Sequence, residues 1–197
     1  MKQPPKKYRD ILATGKALFW KHGYRRVTVE EICEESKVSK MTFYKYFPNK
    51  AELAKEVLDK LFRESMDQFK KLMLSDIPFE DKMELQIKMK SEGVQDISEE
   101  FVKDIYGDPE SELFDFWRIK ANEAIQIVID LYQQAQNQGY IRQDIKIDFI
   151  LYIIDKTFDF VNDDALISKY DTMQDLILEI NRFFLYGILP HHSSGHD

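Results

Sequence analysis

Cysteine is almost missing from this chain: there is one, Cys33, in 197 residues. A single thiol closes no intrachain disulfide, so packing must carry the fold, and the sequence fits a reducing compartment. Glycine is scarce as well, seven in all, and none builds a phosphate-cradling loop. Neither a nucleophile elbow nor an HExxH pair occurs, which removes common hydrolase and zinc-peptidase signatures. No apolar run reaches the roughly 18 residues that a membrane helix needs. Met1 to Arg9 is polar and basic and leads into no apolar stretch, unlike a secretory signal. These absences predict a cytoplasmic protein that is not an enzyme, binds no metal, carries no cofactor and does not enter a membrane.

Charge is abundant and unevenly spread. The whole chain carries −7. Residues 1–50 hold twelve Lys/Arg against five Asp/Glu, or +7, so the remainder carries −7 − 7 = −14. A basic end on an acidic body draws a polyanion to one end and discourages it elsewhere.

The basic end contains the most informative stretch, Thr28 to Lys50. Thr28 followed by Glu31 reads as a capping box, and Val29, Ile32 and Cys33 give the short helix behind it one apolar face. Glu34 to Lys37 breaks that periodicity. Ser39 then caps a second short helix, Lys40 to Phe47, which stops before Pro48. Phe43 and Phe47, four apart, face inward, and Lys40, Thr42, Tyr44, Lys45 and Tyr46 are left outside. Two cations, a hydroxyl and two phenols suit a polyanion with readable edges. Lys and Tyr bond phosphate oxygens, and Thr and Lys reach base edges in the major groove. Helix, tight turn, helix is the arrangement in which the second helix enters that groove.

The stretch resembles the DNA-binding domain of the TetR family of bacterial transcriptional regulators. The matching residues are Gly23-Tyr24, Thr28-Val29, Ile32, Val38-Ser39, Thr42-Phe43-Tyr44, Tyr46-Phe47, Asn49-Lys50 and Leu53. Cys33 and Ser36 replace the usual small residues, Lys37 the usual turn glycine, and Met41 the usual glycine, alanine or proline. A left-handed Lys37 costs about 1–2 kcal/mol. The resemblance implies an N-terminal three-helix domain over 1–50 and a helical regulatory and dimerisation domain over 51–197, with a homodimer binding a palindromic double-stranded operator as a repressor. It also implies groove contacts from Lys40, Met41, Thr42 and Tyr44, and phosphate contacts from Thr28, Lys45, Tyr46 and Lys50.

Beyond residue 50 the pattern stays helical. Helices are expected from Pro48 to Leu74, Phe79 to Met89, Ser98 to Tyr106, Asp108 to Gln138, Asp144 to Asp164 and Asp171 to Leu189. With Lys6 to His22 and the two short helices, that makes an all-α chain of about nine. Gly23 and Gly139 are placed to end helices. The helix from about Lys50 onward, continuous in pattern, is the natural lever between reading head and body. The resemblance places a small-molecule effector among the middle helices, with Phe114, Trp117, Tyr152, Asp155 and Phe158 as candidates. A solvated helix face and ordinary core aromatics explain the same five. It also makes the last two helices a dimer interface through Ile177, Ile180, Phe183, Phe184 and Gly187, although burial within one subunit gives the same 3-4 repeat. Cys33 reads as an inert small hydrophobe, and His191, His192 and His196 as a polar tail. Two other functions stay open: an architectural DNA binder without a ligand, and a small-molecule binder that has lost operator affinity.

Overall fold

The computed structural model describes residues 4–94, 97–108, 110–160 and 163–189. Every regular element among them is a helix: α1 (Lys6–His22), α2 (Val29–Glu35), α3 (Lys40–Tyr46), α4 (Lys50–Met73), α5 (Phe79–Val94), α6 (Glu99–Tyr106), α7 (Glu112–Asn137), α8 (Ile147–Phe160), α9 (Asp164–Ile167) and α10 (Met173–Ile188). The expected all-α class holds, with ten described helices instead of nine. The addition is α9, a single turn created by Asp163, whose carboxylate accepts from the amides of Ala165 and Leu166. Four residues are too few to show a helical period in sequence.

Three boundaries move for local reasons. Asp108 does not start α7; its carboxylate bonds the Glu110 amide in a turn, and Ser111 caps the helix at the Phe114 amide, 3.1 Å away. The helix expected from Asp144 to Asp164 is α8, Ile147–Phe160. α10 begins after Thr172, which forms a reciprocal capping box with Asp175.

The chain divides into two compact units. Unit 1 is Met1–Ser65 with Asp96–Asn122, and unit 2 is Met66–Gln95 with Glu123–Asp197. In unit 1, Ile11, Phe19, Ile32, Phe43 and Leu53 are fully enclosed, each stabilising by about 1.5–3 kcal/mol. α1 meets α4 closely because Gly15 has no side chain; a Cβ there would lie 2.8 Å from Leu53 Cδ2. α6 docks on α1 through Trp20 and Phe101, whose rings are 4.5 Å apart, and through the Ser98 amide, which donates to the Trp20 carbonyl.

Unit 2 buries Phe69, Met83, Tyr132, Ile141, Ile150 and Leu185 in one cluster. Gly139, at φ +81°, ends α7 as its position predicts. The loop behind it is fixed by Gln136, whose amide donates to the carbonyls of Arg142 and Ile145 at 2.9 and 2.8 Å. Buried backbone oxygens are thereby paired, which lets an irregular segment pack against helices.

Candidate nucleic-acid interface

α2 and α3 are seven residues each, and side chains set where both begin. Thr28 Oγ accepts from the Glu31 amide, while Glu31 accepts from the Thr28 amide at 2.8 Å. These bonds hold the Glu31 carboxyl below its ordinary pKa. Ser39 Oγ accepts from the Thr42 amide and lies 3.0 Å from the Thr42 hydroxyl. Between the helices, Lys37 takes φ +54°. The turn thus uses the left-handed conformation that glycine would adopt freely, and it is closed by the Val38 amide donating to the Cys33 carbonyl. Cys33 is buried, and burial pushes its thiol pKa up, away from the reactive thiolate.

α3 buries Phe43 completely and presents the opposite face. Met41 is 83% exposed and Tyr44 52%, with Lys40 and Lys45 also exposed and Thr42 and Tyr46 partly so. Lys40 pairs with Glu30 of α2, which holds the Glu30 carboxyl down. Such an exposed pair is weak and exchanges readily for a phosphate. Tyr46 packs edge-on to Tyr8 of α1, and Tyr8 stacks on Phe47, so α1 sets the angle of α3.

Lys50 is engaged differently. Its ammonium donates to the carbonyls of Tyr24, Arg25 and Val27 at 2.8, 3.2 and 2.7 Å and sits 4.4 Å from the Tyr24 ring centroid. An ammonium has three donors, and all three are used in closing the α1–α2 loop. Burial lowers its pKa. The loop is held from its other side by Arg25. The Arg25 amide donates to Asp104 at 2.8 Å, and its guanidinium pairs with Asp108 at 2.9 Å. Gly23, at φ +80°, passes within 2.8 Å of Asp104 as measured from an added Cβ, so a side chain there would strike α6. The two clamps join groups 23 to 83 residues apart, and no local pattern announces them.

The five effector candidates are divided between the two units. Phe114 and Trp117 lie in unit 1, rings 5.9 Å apart, with Trp117 edge-on to Tyr106 at 4.8 Å. Tyr152 lies in unit 2 and is 58% exposed. The side chains of Asp155 and Phe158 lie outside the described residues, as do His191, His192 and His196. On α10, Phe183 is 82% exposed, Ile177 and Ile180 are partly exposed, Phe184 is partly buried against the unit 2 cluster, and Gly187 faces open space. Among the described residues no helix is long and apolar enough to cross a membrane, and no cluster of His, Cys, Asp or Glu has metal-site geometry.

A capped helix, a closed turn and a second helix with an exposed basic and aromatic face define a helix-turn-helix DNA-binding protein. Residues 11–57 match the family model described as bacterial regulatory proteins, tetR family. The fatty acid metabolism regulator protein of Bacillus subtilis (strain 168) is 35% identical over 77 residues, which is 39% of this chain and 38% of that protein. The chain thus aligns with well under half the length of this curated relative. Solved structures extend the likeness in fold. The fatty acid degradation regulator FadR from Bacillus halodurans matches at TM-score 0.71 and 16% identity, over 94% of this chain and 98% of that one. The transcriptional regulator FadR from Bacillus subtilis, in complex with stearoyl-CoA, matches at 0.66 and 14%, over 92% and 99%.

Proposed function

We propose that the protein is a cytoplasmic, homodimeric, ligand-responsive transcriptional repressor that reads a palindromic operator with α3 of each subunit. The observation that carries it is the coincidence, within residues 11–57, of the family match, the closed helix-turn-helix and the basic end of an acidic chain. Residues 1–50 act as the reading head and 51–197 as the regulatory part. Lys40, Met41, Thr42 and Tyr44 contact the groove, with the exposed Met41 thioether placed for a thymine methyl. Thr28, Lys45, Tyr46 and Lys50 contact phosphate; Lys50 does so by giving up one of its three loop carbonyls.

A second copy covers the apolar face of α10. Phe183 and Tyr186 stand exposed there, and two-fold pairing is what a palindrome requires. The effector belongs to the regulatory part, with Phe114, Trp117, Tyr152, Asp155 and Phe158 as its sequence-based contacts. Relatives named for fatty acid metabolism make compounds with an acyl chain one class of probe. α4 passes from unit 1 to unit 2 at Ser65–Met66 and serves as the lever. Coupling of this kind is typically about 1–3 kcal/mol. No catalytic role is assigned to any residue.

The test is selection of a random duplex library by the purified protein at moderate salt. Enrichment of one inverted repeat is the expected result. Salt-dependent binding without enrichment replaces a sequence reader with an architectural binder, and absence of binding removes the DNA role.

A further inference from the structure

One polar pair interrupts the apolar interior of unit 2. On α5, Phe79, Met83 and Ile87 are buried at helical spacing, and Gln86 beside them is 7% exposed. On α7, Tyr132 is 2% exposed, its ring edge-on to Phe69 at 6.2 Å. Gln86 Nε2 donates to the Tyr132 hydroxyl over 3.3 Å, and Gln86 Oε1 has no partner among the described residues. Reversing the amide does not cure this. Tyr132 then donates to the oxygen, and the NH₂ group is left over. In both orientations the pair keeps a spare donor and a spare acceptor. Burial holds Tyr132 as a neutral phenol, its pKa pushed up to about 12. A leucine at position 86 would occupy similar space and leave nothing unsatisfied.

One helical turn along lies a groove of about 350 Å³, lined by Met73, Phe79 and Leu131 together with the polar Asp76, Lys82 and Gln134; Gln86 and Tyr132 are not among its lining residues. Met73, Phe79 and Ala135 also belong to the cluster that buries Tyr132. Gln86 is four residues after the groove residue Lys82, and Tyr132 three before Ala135. The cluster includes Met66, Met73 and Met83, unbranched side chains that repack around inserted groups.

We propose that Gln86 and Tyr132 are the polar anchor of an effector site entered through this groove, and that it takes a mainly apolar molecule bearing one uncharged hydroxyl or amide. Such a group donates to Gln86 Oε1 and accepts from the Tyr132 hydroxyl, using both spare positions at once. Neither anchor is cationic, so the pair itself gives a carboxylate no counter-charge. Lys82, the one charged side chain buried in unit 2 among the described residues, gives its ammonium to the Met73 carbonyl at 2.8 Å. The proposal rests on the regulatory part being an effector domain, and it assigns that effector a chemistry.

The full chain is titrated calorimetrically with 1-octanol, octanamide and octanoate, for wild type, Gln86→Leu and Tyr132→Phe. Wild type should bind the alcohol and the amide at least about tenfold more tightly than octanoate. Gln86→Leu should erase that preference while melting at or above the wild-type temperature. Equal binding of 1-octanol by wild type and Gln86→Leu overturns the proposal, as does failure of both neutral probes to bind. Unchanged binding together with a lower melting temperature assigns Oε1 to a buried water. Should Gln86→Leu not fold, Tyr132→Phe, which removes a single oxygen, decides by the same criterion. Calorimetry involves no DNA. Loss of operator binding with the ligand preference intact therefore strikes the regulator reading alone, and the converse strikes this site alone.

Discussion

The reading helices of unit 1 and the helices of unit 2 obtain their geometry by different means. α2 and α3 are seven residues each, well below the roughly 12–15 that an isolated helix needs. They are placed by side-chain caps at Thr28 and Ser39, by the Lys50 ammonium on three carbonyls and by Arg25 on two aspartates. In unit 2, α8 and α10 have fourteen and sixteen residues. Their positions come from apolar area, with methionines in the interior, an amide short of a partner and aromatics left outside. Directional bonds fix position to fractions of an ångström, as a base-reading surface requires. Apolar area tolerates exchange of contents, as a binding interior requires.

The largest expected effect falls where the directional unit has its packed centre. Phe43→Ala removes a fully enclosed ring of α3 and should cost about 3–5 kcal/mol in chemical denaturation. Met83→Ala, equally enclosed in unit 2, should cost about 2 kcal/mol, the low end for such changes, because neighbouring methionines fill the space. Equal losses at the two sites would erase the contrast between a fixed and an adaptable core.

Next comes Lys50. Lys50→Met keeps the aliphatic stem and removes three charge-assisted bonds, so stability should fall by about 2–3 kcal/mol. The same variant separates clamp from phosphate ligand in operator titrations against salt. A phosphate contact flattens the slope of log K against log salt by about one unit. A clamp lowers affinity with the slope intact.

Thr28→Ala should cost about 1 kcal/mol at neutral pH through loss of the α2 cap, with a matching fall in operator affinity. The effect has a pH signature. Glu31 carries a pKa below its ordinary 4.5 because it accepts from the Thr28 amide and hydroxyl. A folded-state value below the unfolded one stabilises above the unfolded pKa, and that contribution is lost as pH falls through the folded one. The difference between wild type and Thr28→Ala should therefore be full at pH 7 and shrink below about pH 4.5. A difference independent of pH would mean that the threonine acts by packing and not through the box.

What the sequence made visible follows the same division. The caps at Thr28, Ser39 and Ser98, the ends at Gly23 and Gly139 and the inward pair Phe43 and Phe47 depend on neighbours within four residues, so composition and spacing reveal them. The left-handed Lys37 was visible as a lysine standing where glycine is usual. The Lys50 clamp, the Arg25 latch and the Gln86–Tyr132 pair join residues 23 to 83 positions apart. Each partner taken alone resembles an ordinary surface or core residue. The effector candidates show the same limit. Aromatics and aspartates at helical spacing describe a face, and the spacing does not say which unit the face belongs to.

The smallest expected effect on stability is at Phe183, and it carries the most weight for unit 2. The ring is 82% exposed, so Phe183→Ser should change the unfolding free energy of an isolated subunit by no more than about 0.5 kcal/mol. If a second copy covers α10, the wild-type melting temperature rises with protein concentration, because assembly stabilises the folded state by mass action. In Phe183→Ser that dependence should weaken, sedimentation should report monomer at micromolar protein, and operator affinity should fall, since one head reads one half-site. A variant that stays dimeric would place the two-fold axis on another face. The exposed aromatic would then be free to serve a different partner, and the apolar face of unit 2 would no longer be explained by self-association.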